Sequence, residues 1–177
     1  MTDLPQRICP GCRASFDRMP WALDRDLQAS PECWHAYGQV SMFGTEHAGQ
    51  LMPLHQLAVD AYGAQHAGPP TPEIYVTFSL VGLYLALECG LDGPAVRAAH
   101  QRMGKPQPGW PTFGPPADPG AVTVADVLRA GAVADSVAGH TAQLLLWAES
   151  VWQTWSGRHA EVVALTGRIF PGEFAAG

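Results

Sequence analysis

Cys9-Pro10-Gly11-Cys12 constrains this chain more than any other stretch. Two cysteines separated by two residues form a tight turn that can aim both sulfurs at one point. Pro10 pre-sets one backbone angle there, and Gly11 is expected to take the left-handed angle that exposes amide N–H groups to the thiolates. Cys33 offers a third thiolate at a loop distance that suits the same centre. With one imidazole these would complete a tetrahedral shell, and zinc is the commoner occupant of a mononuclear site of three cysteines and a histidine. The competing chemistry is a thioredoxin-like redox pair, which needs a strand before it and a helix starting at its first cysteine. Only eight residues precede Cys9, and Pro20 follows Cys12 too soon for such a helix. Zn2+ is therefore the expected cofactor.

The fourth ligand has to be chosen among histidines. His35 stands two residues past Cys33 and on a helix points well away from that sulfur. His55 and His66 are three helical turns apart and share a face with Val59 and Tyr62, but stand about 16 Å from each other along the axis. One mononuclear centre cannot hold both. If the chain reverses at Gly44–Gly49, His55 lies nearer the cysteine-rich segment, so the expected metal ligands are Cys9, Cys12, Cys33 and His55. Tyr62, Gln65 and His66 then form a separate polar focus and are candidates for catalytic or binding groups. Asp60, about 140° from His55 around the helix, falls outside the metal site and is expected to orient a neighbouring helix; it is the fourth such candidate. Glu88, His100, Glu149 and His159 could also enter a cleft. Cys89 and the tryptophans Trp147, Trp152 and Trp155 are expected to pack.

The pattern beyond the cysteines is helical. Ser30 followed by Pro31 is a helix opening, and the helix is expected to end near Gly44. A second covers about Gly49 to His66, stopped by Gly68-Pro69-Pro70. A third, capped by Thr71 with Pro72 in its first turn, runs to Cys89 and is apolar nearly all round, as a central bundle helix should be. Pro94–Met103 makes a fourth. Gly104–Gly120 holds six prolines and four glycines, and its Trp110 and Phe113 are expected to dock on the body. Thr123 with Asp126 reads as a capping box opening a helix to about Ala130. Ala134–Trp155 and Arg158–Ile169 complete the set. No stretch has a convincing strand period. The expected fold class is all-α, a single domain over residues 1–177, in which residues 1–33 are a metal-pinned zinc-knuckle segment and 34–170 a helical bundle.

Composition bears on partners and location. A net charge of -6, with Lys105 the single lysine, argues against nucleic acid. Arg7, Arg13, Arg18 and Arg25 lie near the cysteines, but Asp3, Asp17, Asp24 and Asp26 are interleaved with them. The amino terminus has no apolar signal stretch, and Ile74–Leu91 is interrupted by Thr77, Ser79 and Glu88, so no membrane partner is expected. The reading is a cytoplasmic protein with reduced thiols. No phosphate-binding glycine loop, zincin helix or nucleophile elbow is present.

Several of these stretches coincide with a known pattern. Cys9-Pro-Gly-Cys12, Pro31-Glu-Cys33-Trp34, Leu57-Ala-Val-Asp60-Ala-Tyr62 followed by Gln65-His66, and Trp147-Ala-Glu-Ser-Val-Trp152 resemble an uncharacterised bacterial family, domain of unknown function 5946. The resemblance spans Cys9 to about His159. It implies that the three cysteines and the VDAY-x-x-QH helix form a shared site, and it brings no activity with it. His35 and His47 do not belong to the pattern.

Taken together, the sequence points to a zinc-binding helical protein with a structural metal site and a separate polar pocket for a small-molecule or protein ligand. The alternative is an enzyme with an open fourth position on the metal, suited to thiol or sulfur transfer or to hydrolysis. A second alternative is a protein-interaction module using the loop at Trp110 and Phe113.

Overall fold

The computed structural model describes residues 5–20, 26–104 and 110–174. Asp3, Asp24, Arg25 and Lys105 fall outside them. Seven α-helices carry the described fold: α1 Pro31–Glu46, α2 Ala48–Gln65, α3 Glu73–Leu87, α4 Gly93–Met103, α5 Val124–Leu128, α6 Val137–Thr154 and α7 His159–Ile169.

The start signals read from the sequence act as capping chemistry predicts. Ser30 Oγ accepts the Cys33 amide at 3.2 Å, and Pro31 follows at the first helical position. Asp92, a cap not expected from the sequence, holds α4 through the Ala95 amide at 2.9 Å. Thr123 and Asp126 form the reciprocal box that opens α5. That helix ends at Leu128 and continues as a π-helical turn over Arg129–Val133, earlier than expected. Thr71 does not cap α3. Its hydroxyl instead donates to the His66 carbonyl and accepts the Gln28 amide at 2.9 Å, tying the end of α2 to the amino-terminal segment.

α1 and α2 are joined by His47 alone. Tyr37 stacks on Tyr62 with ring centroids 4.3 Å apart, so the beginning of α1 lies against the end of α2. α3 is sheathed by α2, α4, α6 and α7, which accounts for its all-round apolar character. No helix among the described residues is long and apolar enough to cross a membrane. Trp147, Trp152 and Trp155 are fully buried, as expected of core residues.

The amino-terminal segment is more regular than the sequence suggested. Strands β1 (Gln6–Ile8) and β2 (Ser15–Asp17) pair antiparallel with Arg7 opposite Phe16. Three residues per strand are too few to show an alternating pattern. Backbone bonds across the turn set the register, from Cys9 N–H to the Ala14 carbonyl at 2.9 Å and from Arg13 N–H to the Cys9 carbonyl at 3.0 Å. Buried Glu32 fastens this hairpin to α1. It accepts the Met19 amide at 3.2 Å and pairs with Arg7 at 3.6 Å.

The described part of the Pro/Gly-rich loop docks as its aromatics foretold. Phe113 is buried edge-on to Trp155, and Trp110 meets Phe78 edge-on with centroids 5.3 Å apart. Gln65 anchors the loop's far end. Its amide donates to the carbonyls of Pro119 at 3.0 Å and Val122 at 2.8 Å, while its oxygen accepts the Trp147 indole N–H at 2.8 Å. Substituting Gln65→Ala strands a buried indole donor and two carbonyls. Thermal unfolding should show a loss of about 2–4 kcal/mol.

Candidate metal centre

Cys9, Cys12, Cys33 and His66 converge, with one donor atom from each lying within 4.8 Å of all the others. All four residues are buried, none more than 2% exposed. They come from three places in the chain: the hairpin turn between β1 and β2, the first turn of α1, and the C-cap of α2.

The separations decide what the cluster suits. Cys12 and Cys33 sulfurs stand 3.7 Å apart, far beyond a disulfide bond. Nε2 of His66 lies 3.3 Å from the Cys33 sulfur and 3.5 Å from that of Cys9. A tetrahedral zinc ion, bonded to sulfur at about 2.3 Å and to nitrogen at about 2.0 Å, sets two sulfurs about 3.8 Å apart and sulfur and nitrogen about 3.5 Å apart. The three separations lie close to the edges of a tetrahedral zinc shell, and all four donors fall within 4.8 Å of one another.

The surroundings orient each donor. Nδ1–H of His66 donates to the Tyr62 carbonyl at 2.8 Å, which leaves the Nε2 lone pair facing the sulfurs. The Tyr62 ring stacks on the imidazole at 4.0 Å, and its hydroxyl donates to the Cys33 sulfur at 3.7 Å. The Ser30 amide points at the Cys9 sulfur at 3.4 Å. Gly11 is needed for close approach. A Cβ there would collide with the Gln28 carbonyl and lie 2.5 Å from the His66 ring. The left-handed residue of the turn is Arg13, with φ of 61°, and not Gly11 as the sequence suggested.

Without a cation the three sulfurs compete for a single negative charge. Hydrogen bonds from Cys12 and Cys33 hold the Cys9 thiol far below its ordinary value, while contact with Cys12 and Cys9 pushes Cys33 far above it. For Cys12, lowering by Cys33 is outweighed by Cys9 and burial, which push it up to about 12. A divalent cation relieves this competition by accepting all three as thiolates.

His66 takes the place expected for His55. His55 sits half-buried on α2, where burial and the nearby charge of Arg97 lower its pKa. Along the helix axis, Cys33 is about 21 Å from the α1–α2 turn, His55 about 12 Å and His66 about 28 Å. Distance alone barely separates the two histidines. Cβ bonds tilt toward a helix's amino terminus, which brings the His66 ring back toward Cys33 and carries His55 further from it.

The separate polar focus of Tyr62, Gln65 and His66 does not exist as such. Tyr62 and His66 belong to the cysteine cluster, and Gln65 faces α6 and the loop. Asp60 lies apart from the cluster, buried against α3 and α4. Glu88 accepts the Trp152 indole N–H at 2.8 Å, and His159 stacks on the same indole at 3.7 Å, so both serve packing. Glu149 is exposed. The role of Glu32 was hidden in the sequence, although its place beside Cys33 in Pro31-Glu-Cys33-Trp34 was visible.

Fold and site together define a helical protein in which a small hairpin and two helices bring three cysteines and a histidine together. Residues 7–156 match the family described as a family of unknown function, DUF5946, and the chain belongs to that family. No curated protein and no solved structure matches it.

Tyr62→Phe removes the hydroxyl over Cys33 and keeps the stacked ring. Competition against a chromophoric chelator should show metal affinity about tenfold weaker, with the helical content unchanged.

Proposed function

We propose that this is a zinc-binding protein whose metal centre is structural, with Cys9, Cys12, Cys33 and His66 as the four ligands. The observation that carries the reading is the match of sulfur–sulfur and sulfur–nitrogen separations to the edges of a tetrahedral zinc shell. Burial of all four residues supports it further, because a catalytic zinc keeps one position open to water or substrate. An imidazole fills the corner that the thiol-transfer or hydrolytic alternative would need free. Zinc bound here would fasten the β1–β2 hairpin onto the α1–α2 pair. Such sites contribute about 10 kcal/mol or more of binding free energy to folding.

Four free cysteines, three of them in the cluster, suit a reducing compartment, and we place the protein in the cytoplasm on that ground. Zinc is favoured over iron because an imidazole joins the thiolates in a single-ion, tetrahedral set.

Elemental analysis of purified protein should find about one zinc per chain. His66→Ala should lose most of it, and His55→Ala should retain it. Retention by His66→Ala, or loss in His55→Ala, would overturn the ligand assignment. Chelation of the metal from the parent should lower its melting temperature, and added zinc should restore it.

A further inference from the structure

A cavity with about 520 Å3 of space, a volume suited to a small ligand, is lined by none of the four cluster residues. α1, α2, α3 and α4 each contribute to its lining. Trp34, Tyr75 and Phe78 supply aromatic wall, and Ile74 stands at it 45% exposed. The polar groups that line it include Asp60, His100 and Asp26, and no lysine or arginine lines it among the described residues.

Two of these groups are unfinished. Asp60 is 2% exposed, and its Oδ1 accepts the Gln56 side-chain amide at 3.1 Å, but its Oδ2 has no hydrogen-bond partner among the described residues. Nε2 of His100 is likewise buried without a partner. Both crowd the bare backbone of Gly82. A Cβ there would overlap the Asp60 carboxylate and come within 2.9 Å of His100 Cε1. They therefore converge on one small volume while making no hydrogen bond to each other. Buried polar atoms left this way cost stability unless something pairs with them.

The chemistry of the pair selects a ligand. His100 Nε2, buried without a partner among the described residues, offers a lone pair in one of the two neutral tautomers. A carboxylate oxygen also accepts. A head group that satisfies both must donate at least twice and carry positive charge to balance the carboxylate. Aromatic walls attract the same charge through their ring faces. We propose that this cavity binds a small organic amine with an aromatic or apolar body, held as its ammonium by Asp60 and His100.

Burial raises the Asp60 carboxyl well above the usual carboxylate range, and an ammonium brought beside it favours the ionised form again. Nothing in this balance needs the zinc centre, and no ligand of that centre lines the cavity.

The test is calorimetric titration of the full-length zinc-loaded protein with phenethylamine, phenethyl alcohol and hydrocinnamate. These share one aromatic body and differ in the head group. The amine should bind at least about tenfold more tightly than the alcohol, and the acid should bind weakest. Asp60→Asn should cost the amine about tenfold or more and leave the alcohol nearly unchanged. Ile74→Arg changes a part-exposed residue at the cavity, so it provides a second variant if Asp60→Asn does not fold. It should weaken the amine more than the alcohol by placing a competing cation there. Equal affinity for amine and alcohol, preference for the acid, or no saturable binding of the amine would overturn the proposal. Zinc content measured on the same samples keeps failure of the metal assignment distinct from failure at this cavity.

Discussion

The bond from His66 Nδ1–H to the Tyr62 carbonyl is the small interaction on which the rest of the arrangement depends. It uses the last turn of α2 to fix an imidazole with its free nitrogen toward three sulfurs. That nitrogen can serve only because α1 begins where α2 ends, a consequence of joining two helices of similar length through one residue. The hairpin then has one place to go. Its Cys9 and Cys12 must come over the helix ends, and Gly11 lets the turn settle on the imidazole itself. Glu32, beside Cys33, holds the far side of the hairpin by the Met19 amide and Arg7.

One helix thus serves two unrelated environments. The carboxy-terminal turn of α2 carries Tyr62 and leads into His66, facing the sulfurs, with Gln65 turned toward Trp147 and the proline-rich loop. One turn earlier Asp60 faces the opposite way, against Gly82 and His100. Side chains at 100° intervals make this separation possible within seven residues. Polar atoms on the first side find partners among the described residues, whereas Asp60 Oδ2 does not.

Much of this was legible in the sequence, for reasons that differ by element. The helices announced themselves because Ser30-Pro31 and Thr123 with Asp126 are local chemistry, settled within four residues. The cysteines were legible because a Cys-x-x-Cys pair has few uses in a helical protein. The hairpin was not, since three-residue strands carry too short a pattern to recognise. The choice of His66 over His55 depended on the direction in which Cβ atoms lean, a matter of about two residues' rise that spacing does not report. His100 could not be connected to Asp60 from spacing at all. Their meeting requires a glycine on a third helix.

The distribution of the cluster along the chain sets an order of events during synthesis. Cys9 and His66 are separated by 57 residues, and Cys12, Cys33, α1 and α2 all lie between them. As the chain leaves the ribosome, the hairpin and α1 emerge first with the three clustered thiols and without His66. Only when α2 has followed can the shell close, and α3, whose apolar surface needs α2 as a partner, comes next. A metal held by this cluster would thereby be captured by the α1–α2 pair and not by the finished bundle. That event would fall in the nascent amino-terminal third, before the apolar α3 is exposed.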